Sequence, residues 1–135
     1  MPEVLVDSNV LIDTMSVGSP WFEWSSTTLA EHAERCVLLI NPIVYAEVSV
    51  YFDRVEALDE ALPSLTFKRD ALPWNAAFLA GKCFLEYRRR GGTRSALLPD
   101  FYIGSHAAVK GAALLTRDAR RYRSYFPRLE IIAPN

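Results

Sequence analysis

Short continuous apolar runs alternate along this chain with longer stretches in which apolar residues recur at helical spacing. Glu3-Val4-Leu5-Val6 is a β-rich run that stops at Asp7, and Ser8 or Asn9 stands where a helix over Val10, Leu11 and Ile12 needs its cap. Pro20 opens a second helix over residues 21–35, with Trp21, Trp24, Leu29 and Ala33 on one stripe. Val37-Leu38-Leu39-Ile40 reads as a buried strand. Asn41-Pro42 then starts a helix through Ile43, Tyr45, Glu47 and Val50, because Asn caps orphan N–H groups and Pro at the first helical position loses no hydrogen bond. Between Pro63 and Pro73, Leu65-Thr66-Phe67-Lys68 is a small strand or a loop. A helix from Trp74 to about Arg90 ends at Gly91-Gly92. After a polar loop from Thr93 to Pro99, a helical pattern runs from Asp100 to Gly111, and Ala113–Thr116 and Leu129–Ile132 are the last strands.

Strands separated by helices, with apolar runs too continuous for a sheet wetted on one face, predict an α/β fold: a central parallel sheet flanked by helices in α/β/α layers. The 135 residues, half of them hydrophobic, make one domain over 1–135 that can bury its core without disulfides or a structural metal. Cys36 and Cys83 fit no disulfide framework and read as small buried hydrophobes in a reducing compartment. With Glu3 and Asp7 where a signal peptide needs positive charge, and with no apolar run of membrane-spanning length, the expectation is a cytoplasmic protein with no membrane partner. The net charge of −1 conceals a division: residues 1–81 carry four bases against twelve acids, residues 82–135 eleven bases against four acids. Such a split suits a polyanion held beside an acidic pocket, or else a solvated face with Arg88, Arg89 and Arg90 closing a helix.

Four acids interrupt apolar or structurally committed stretches: Asp7 after Val4-Leu5-Val6, Glu47 within Ile43–Val50, Asp100 after Leu97-Leu98-Pro99, and Asp118 after Leu114-Leu115-Thr116. Ligands of parallel sheets bind beyond the C-terminal ends of the strands, where Asp7 and Asp118 fall. Converging carboxylates repel one another and raise each other's pKa, a cost that a divalent cation removes. All-oxygen ligation points to Mg²⁺ or Mn²⁺ rather than Zn²⁺, since His32, His106 and two unpaired cysteines are the only softer donors. Such a cluster activates water for in-line attack on a phosphodiester. The competing reading makes Asp7, Asp100 and Asp118 helix caps. Glu47, with apolar residues at 43, 44, 46, 48 and 50, is either partly buried with a partner or aimed at a site.

Taken in order, Asp7-Ser8-Asn9-Val10-Leu11-Ile12-Asp13, Asn41-Pro42-Ile43-Val44-Tyr45-Ala46-Glu47, Leu98-Pro99-Asp100-Phe101-Tyr102-Ile103-Gly104-Ser105-His106-Ala107 and Leu114-Leu115-Thr116-Arg117-Asp118, with Arg121-Tyr122 and Tyr125-Phe126-Pro127 beyond, resemble the motifs of PIN-domain ribonucleases. The likeness is nearest to VapC toxins of bacterial type II toxin–antitoxin pairs and runs from residue 4 to about 132. It implies a metal-dependent endoribonuclease that uses Mg²⁺ or Mn²⁺, leaves 5′-phosphate and 3′-hydroxyl ends, forms a homodimer and is silenced by a cognate antitoxin. By the same resemblance Asp7 and Asp100 match metal-ligating aspartates, Glu47 the helix-borne glutamate, and Asp118 an aspartate that ligates directly or through water. Asn9 and Thr116 match polar supporting positions, Asn9 orienting Asp7 or a water. Residues 53–95 align with nothing in the family's motifs.

Arg117, Arg120, Arg121 and Arg123 either meet RNA phosphates near the metal or serve solubility. His106, six residues beyond Asp100, reads as a packing histidine rather than a ligand, and Trp21, Trp24 and Trp74 as core or dimer contacts rather than base-stacking platforms. An aspartate-based phosphatase or receiver domain also places Asp after the first strand, but it wants a second acid where Asn9 stands, or adjacent early acids and a late lysine. A PIN-like binding module without catalysis is the remaining alternative, and the presence of all four acids gives it little support.

Overall fold

A computed structural model describes residues 1–96 and 98–135; Leu97, in the polar loop read from the sequence, lies outside the described residues. Its elements are β1 (Glu3–Val6), α1 (Ser8–Thr14), α2 (Phe22–Arg35), β2 (Val37–Ile40), α3 (Pro42–Ser49), α4 (Val55–Ala61), β3 (Phe67–Arg69), α5 (Trp74–Arg89), α6 (Pro99–Lys110), β4 (Ala113–Leu115), α7 (Arg120–Tyr125) and β5 (Ile131–Ile132). The five strands form one parallel sheet in the order β3-β2-β1-β4-β5, with these helices around it. This is the α/β architecture that the alternation of runs predicted.

β1 is the central strand, with Leu5 in register with Leu39 on one side and Leu114 on the other. Because neighbours cover both its edges and helices cover its faces, Val4, Leu5 and Val6 are all buried, as are Leu38, Leu39 and Ile40 of β2. Each such side chain removed from water contributes roughly 1.5–3 kcal/mol against the entropy of ordering the chain.

Local chemistry sets several boundaries. Asn41 caps α3 as expected, its Oδ1 accepting the Val44 N–H at 2.9 Å, with Pro42 in the first turn. α6 ends at Gly111, which adopts φ 73, a left-handed conformation that costs glycine little. Gly104 serves a different end: the Phe126 ring lies where a Cβ would project, so α6 and the segment after α7 approach more closely than any side chain allows.

Three expectations change in detail. α4 was not anticipated, because only Leu58 of its residues is buried and one apolar contact makes no stripe. The strand-or-loop segment is a strand, two residues later than its apolar start, and its exposed Lys68 and Arg69 charge the sheet edge against further pairing. α1 begins with Asp7 in the cap position, not Ser8 or Asn9, and makes no side-chain capping bond there. Trp24 packs against the core and meets Trp21 edge-on at 6.3 Å. Among the described residues no helix is long and apolar enough to cross a membrane.

Candidate active site

The chain runs from β1 outward to β2 and β3, then returns to lay β4 on the opposite side of β1. That reversal opens a crevice at the C-terminal ends of β1 and β4, the place where parallel sheets hold ligands. Asp7 leaves β1 there, its N–H donating to Leu115 O at 2.9 Å, and Asp118 follows β4. α3 supplies Glu47 and α6 supplies Asp100, so side chains far apart in sequence line a single cleft of about 780 Å³.

Hydroxyl groups hold these acids in place. Thr116, fully buried, donates to Asp7 Oδ2 at 2.9 Å and accepts from Asn9 Nδ2 at 3.2 Å and from the Asp118 N–H at 3.2 Å. Tyr122, also buried, stands 3.0 Å from Asp7 Oδ2 and 3.3 Å from Asp100 Oδ1. A phenol has one proton, so it serves the nearer Asp7 oxygen, and the Asp100 contact is complete when that carboxyl carries a proton of its own. Ser8 donates to Glu47 Oε1 at 2.8 Å and ties α1 to α3. Sequence reading missed Ser8 and Tyr122 as parts of this site. Both stood inside the quoted motifs, but a hydroxyl carries no sign of its target until the chain is folded.

The electrostatics record negative charge drawn together without full compensation. Burial, then the neighbouring Asp100 and Glu47, push Asp7 up from 3.8 to about 6, against the lowering effect of the Thr116 and Tyr122 hydroxyls. Burial raises Glu47, with Ser8 opposing and Asp100 adding to the shift. Asp100 is raised by burial and by Asp118, while Arg121 and the Tyr122 hydroxyl pull the other way. Between the same carboxylates, the buried Tyr122 phenol is held well above its ordinary value.

Capping does not account for three of the acids. Asp7 makes no capping bond, α6 has Leu98 in its cap position with Asp100 inside the first turn, and α7 has Ala119 there rather than Asp118. Arg120 and Arg121 line the cleft, whereas Arg117 does not: its Nε donates to Asp13 Oδ2 at 2.8 Å, and its N–H reaches Asn9 Oδ1 at 3.3 Å. His106 is buried and committed at both ring nitrogens, to Asn41 Nδ2 at 3.0 Å and Asp70 Oδ2 at 2.8 Å. Since Asn41 Oδ1 is occupied by Val44, its amide donates to Nδ1, and the imidazole carries its proton on Nε2. His106 thus fastens α6 to the start of α3, a packing role.

A model of the PIN domain family matches residues 4–127. The chain belongs to the PIN-domain family. No curated protein matches it by sequence, but solved structures share its fold. VapBC2 from Rickettsia felis, bound to a DNA fragment from its promoter, superposes with a TM-score of 0.74 at 17% identity, covering 98% of this chain and 99% of that one. A toxin–antitoxin complex from Klebsiella pneumoniae gives 0.69 at 22% identity with 98% of each chain covered. VapC20 of Mycobacterium tuberculosis, a toxin that cleaves the sarcin–ricin loop, gives 0.63 at 14% identity, covering 90% of this chain and 94% of that one. At these identities the likeness is one of fold.

PIN-domain nucleases generally use a divalent metal, and the donors of this PIN domain fit a hard cation in kind: carboxylate oxygens, raised in pKa by burial and then by neighbouring carboxylates, beside neutral hydroxyls. Among the described residues no three His, Cys, Asp or Glu side chains close on one point, so the fit is one of donor type. Tyr122→Phe tests the hydroxyl frame of this PIN domain. It deletes a bond that favours ionised Asp7, so the pH at which the Asp7 carboxyl titrates, followed by NMR, is expected to rise. An unchanged titration means that Tyr122 only fills space.

Proposed function

We propose that this PIN domain is a Mg²⁺-dependent endoribonuclease and the toxin of a type II toxin–antitoxin pair. The observation that carries the reading is the convergence of Asp7, Glu47, Asp100 and Asp118, from four separate elements, on one cleft that Arg120 and Arg121 also line. In this reading Asp7, Asp100 and Asp118 hold Mg²⁺, or Mn²⁺ in its place. The bound ion supplies Lewis acidity and lowers the pKa of water for in-line attack on phosphorus.

The chain's own residues do the rest. Thr116 and Tyr122 present Asp7 Oδ2 in one orientation, Asn9 braces Thr116, and Ser8 keeps Glu47 turned toward the cleft, where its carboxylate can accept a proton from water. Arg120 and Arg121 meet the RNA backbone with charges that position without reading sequence. Solved neighbours in toxin–antitoxin complexes, and one that cleaves the sarcin–ricin loop, support an antitoxin partner and an RNA substrate for this chain. A homodimer belongs to the same reading.

Purified protein free of antitoxin, incubated with total cellular RNA in Mg²⁺, Mn²⁺ or EDTA beside an Asp100→Ala variant, tests the proposal by mapping new 5′ ends. Discrete cuts are expected with either ion and not with EDTA or the variant. Intact RNA under every condition overturns the nuclease reading in favour of a binding role.

A further inference from the structure

Arg121 stands where its charge has two uses. Its Nη1 lies 3.7 Å from Asp100 Oδ2, close enough for Coulomb attraction and too far for a hydrogen bond. Both side chains are more than a third exposed, so nothing locks the pair. The guanidinium centre is also 6.0 Å from the ring of Tyr87, which comes from α5 and lines the same cleft. Arg121 is also the strongest influence opposing the upward shift of Asp100. Arg117 behaves differently: its Nε is bonded at 2.8 Å to buried Asp13 and is fixed.

We propose that Arg121 is an exchangeable counter-ion of the site, resting on Asp100 when no divalent cation is there and moving to the RNA backbone when one is. The inference rests on the metal-dependent nuclease reading and adds to it the order in which the charges are used. Two positive groups within about 4 Å of each other on one carboxylate repel strongly, so a cation held by Asp100 displaces the guanidinium. The Tyr87 ring, 6.0 Å from the guanidinium centre in the same conformation, is a cation–π partner that remains when the Asp100 contact is given up. Loading the site and readying a phosphate contact are then one event, and the empty site attracts RNA less well than the loaded one.

The test compares wild type, Arg121→Gln and Arg121→Lys for Mn²⁺ binding by calorimetry and for binding of a 2′-O-methyl RNA oligonucleotide with and without Mn²⁺. Arg121→Gln is expected to bind Mn²⁺ about fivefold more tightly, the scale of one half-exposed ion pair. Its RNA affinity in Mn²⁺ should fall, with the salt slope smaller by about one, and Arg121→Lys should lie between. A melting curve matching wild type establishes that the variants are folded. Wild-type Mn²⁺ binding with no tightening in Arg121→Gln, or with RNA affinity unchanged, overturns the exchange alone. No Mn²⁺ binding by wild type overturns the metal reading together with it.

Discussion

Asp7→Asn is expected to abolish RNA cleavage and, in metal-free protein at neutral pH, to raise the melting temperature. The two effects share one cause. Asp7 is 4% exposed, and its carboxyl is pushed up to about 6 because burial and the nearby Asp100 and Glu47 disfavour the charge. A carboxyl whose folded pKa is raised binds its proton more tightly in the native state than in the unfolded one. Its favourable contribution is therefore full below 3.8 and is lost as pH rises through about 6. Above that, keeping Asp7 ionised costs about 3 kcal/mol, a shift of roughly two units at 1.36 kcal/mol each. Asn keeps the shape, and its carbonyl oxygen accepts from Thr116 and Tyr122 more weakly than a carboxylate does. The net gain expected is about 2 kcal/mol, roughly 6–8 °C. Calorimetric scans of both proteins at several pH values check it: the difference should vanish near pH 4 and be complete by pH 7. Saturating Mg²⁺ should stabilise wild type alone and reverse the order. Cleavage should fall by about 10²–10³ or more, because the variant loses an anionic oxygen at the reacting centre. A variant less stable than wild type at neutral pH, or still active, contradicts the account of Asp7 as a strained functional acid.

The second large effect lies just outside the cleft. Arg117→Ala should destabilise the fold by about 3 kcal/mol, because Asp13 is then left buried and charged with only hydroxyl partners. Asp13 is 3% exposed and accepts from Ser19 Oγ at 3.3 Å, Ser25 Oγ at 2.9 Å and Arg117 Nε at 2.8 Å, a set that joins α1, the start of α2 and the end of β4. Urea melts read the loss, and adding Asp13→Asn should recover part of it, since the pair is coupled. Arg120→Ala is the contrast. That side chain is exposed and lines the cleft, so its removal should leave the melt unchanged and weaken RNA binding. Equal melts for the two variants would mean that Arg117 is a surface charge after all.

These arginines mark where reading a sequence stops. Four bases in seven residues look alike on the line, and only the fold separates Arg117, which neutralises Asp13, from Arg120 and Arg121, which line the cleft. Similarly, Tyr122 and Ser8 carry hydroxyls whose partners are 115 and 39 residues away. Nothing local announces such contacts. α4 escaped notice because one buried leucine on a helix leaves no periodic trace.

Much else was determined by the sequence alone. Strand runs such as Val4–Val6 and Leu38–Ile40 are apolar at every position, because a parallel strand covered on both faces has no wet side, and Asn41-Pro42 and Gly111 set helix ends through local backbone chemistry. The identity of the four acids was legible for the same reason: a carboxylate in a committed apolar stretch is conspicuous. What only the tertiary structure decided was their relation. The return of the chain across β1 brings Asp7 and Asp118 to one crevice and turns α3 and α6 toward it, and burial together with mutual charge then raises three of the acids. Local patterns report what a residue's immediate neighbours demand of it. Proximity across the fold depends on where every element packs, and that is a property of the whole chain.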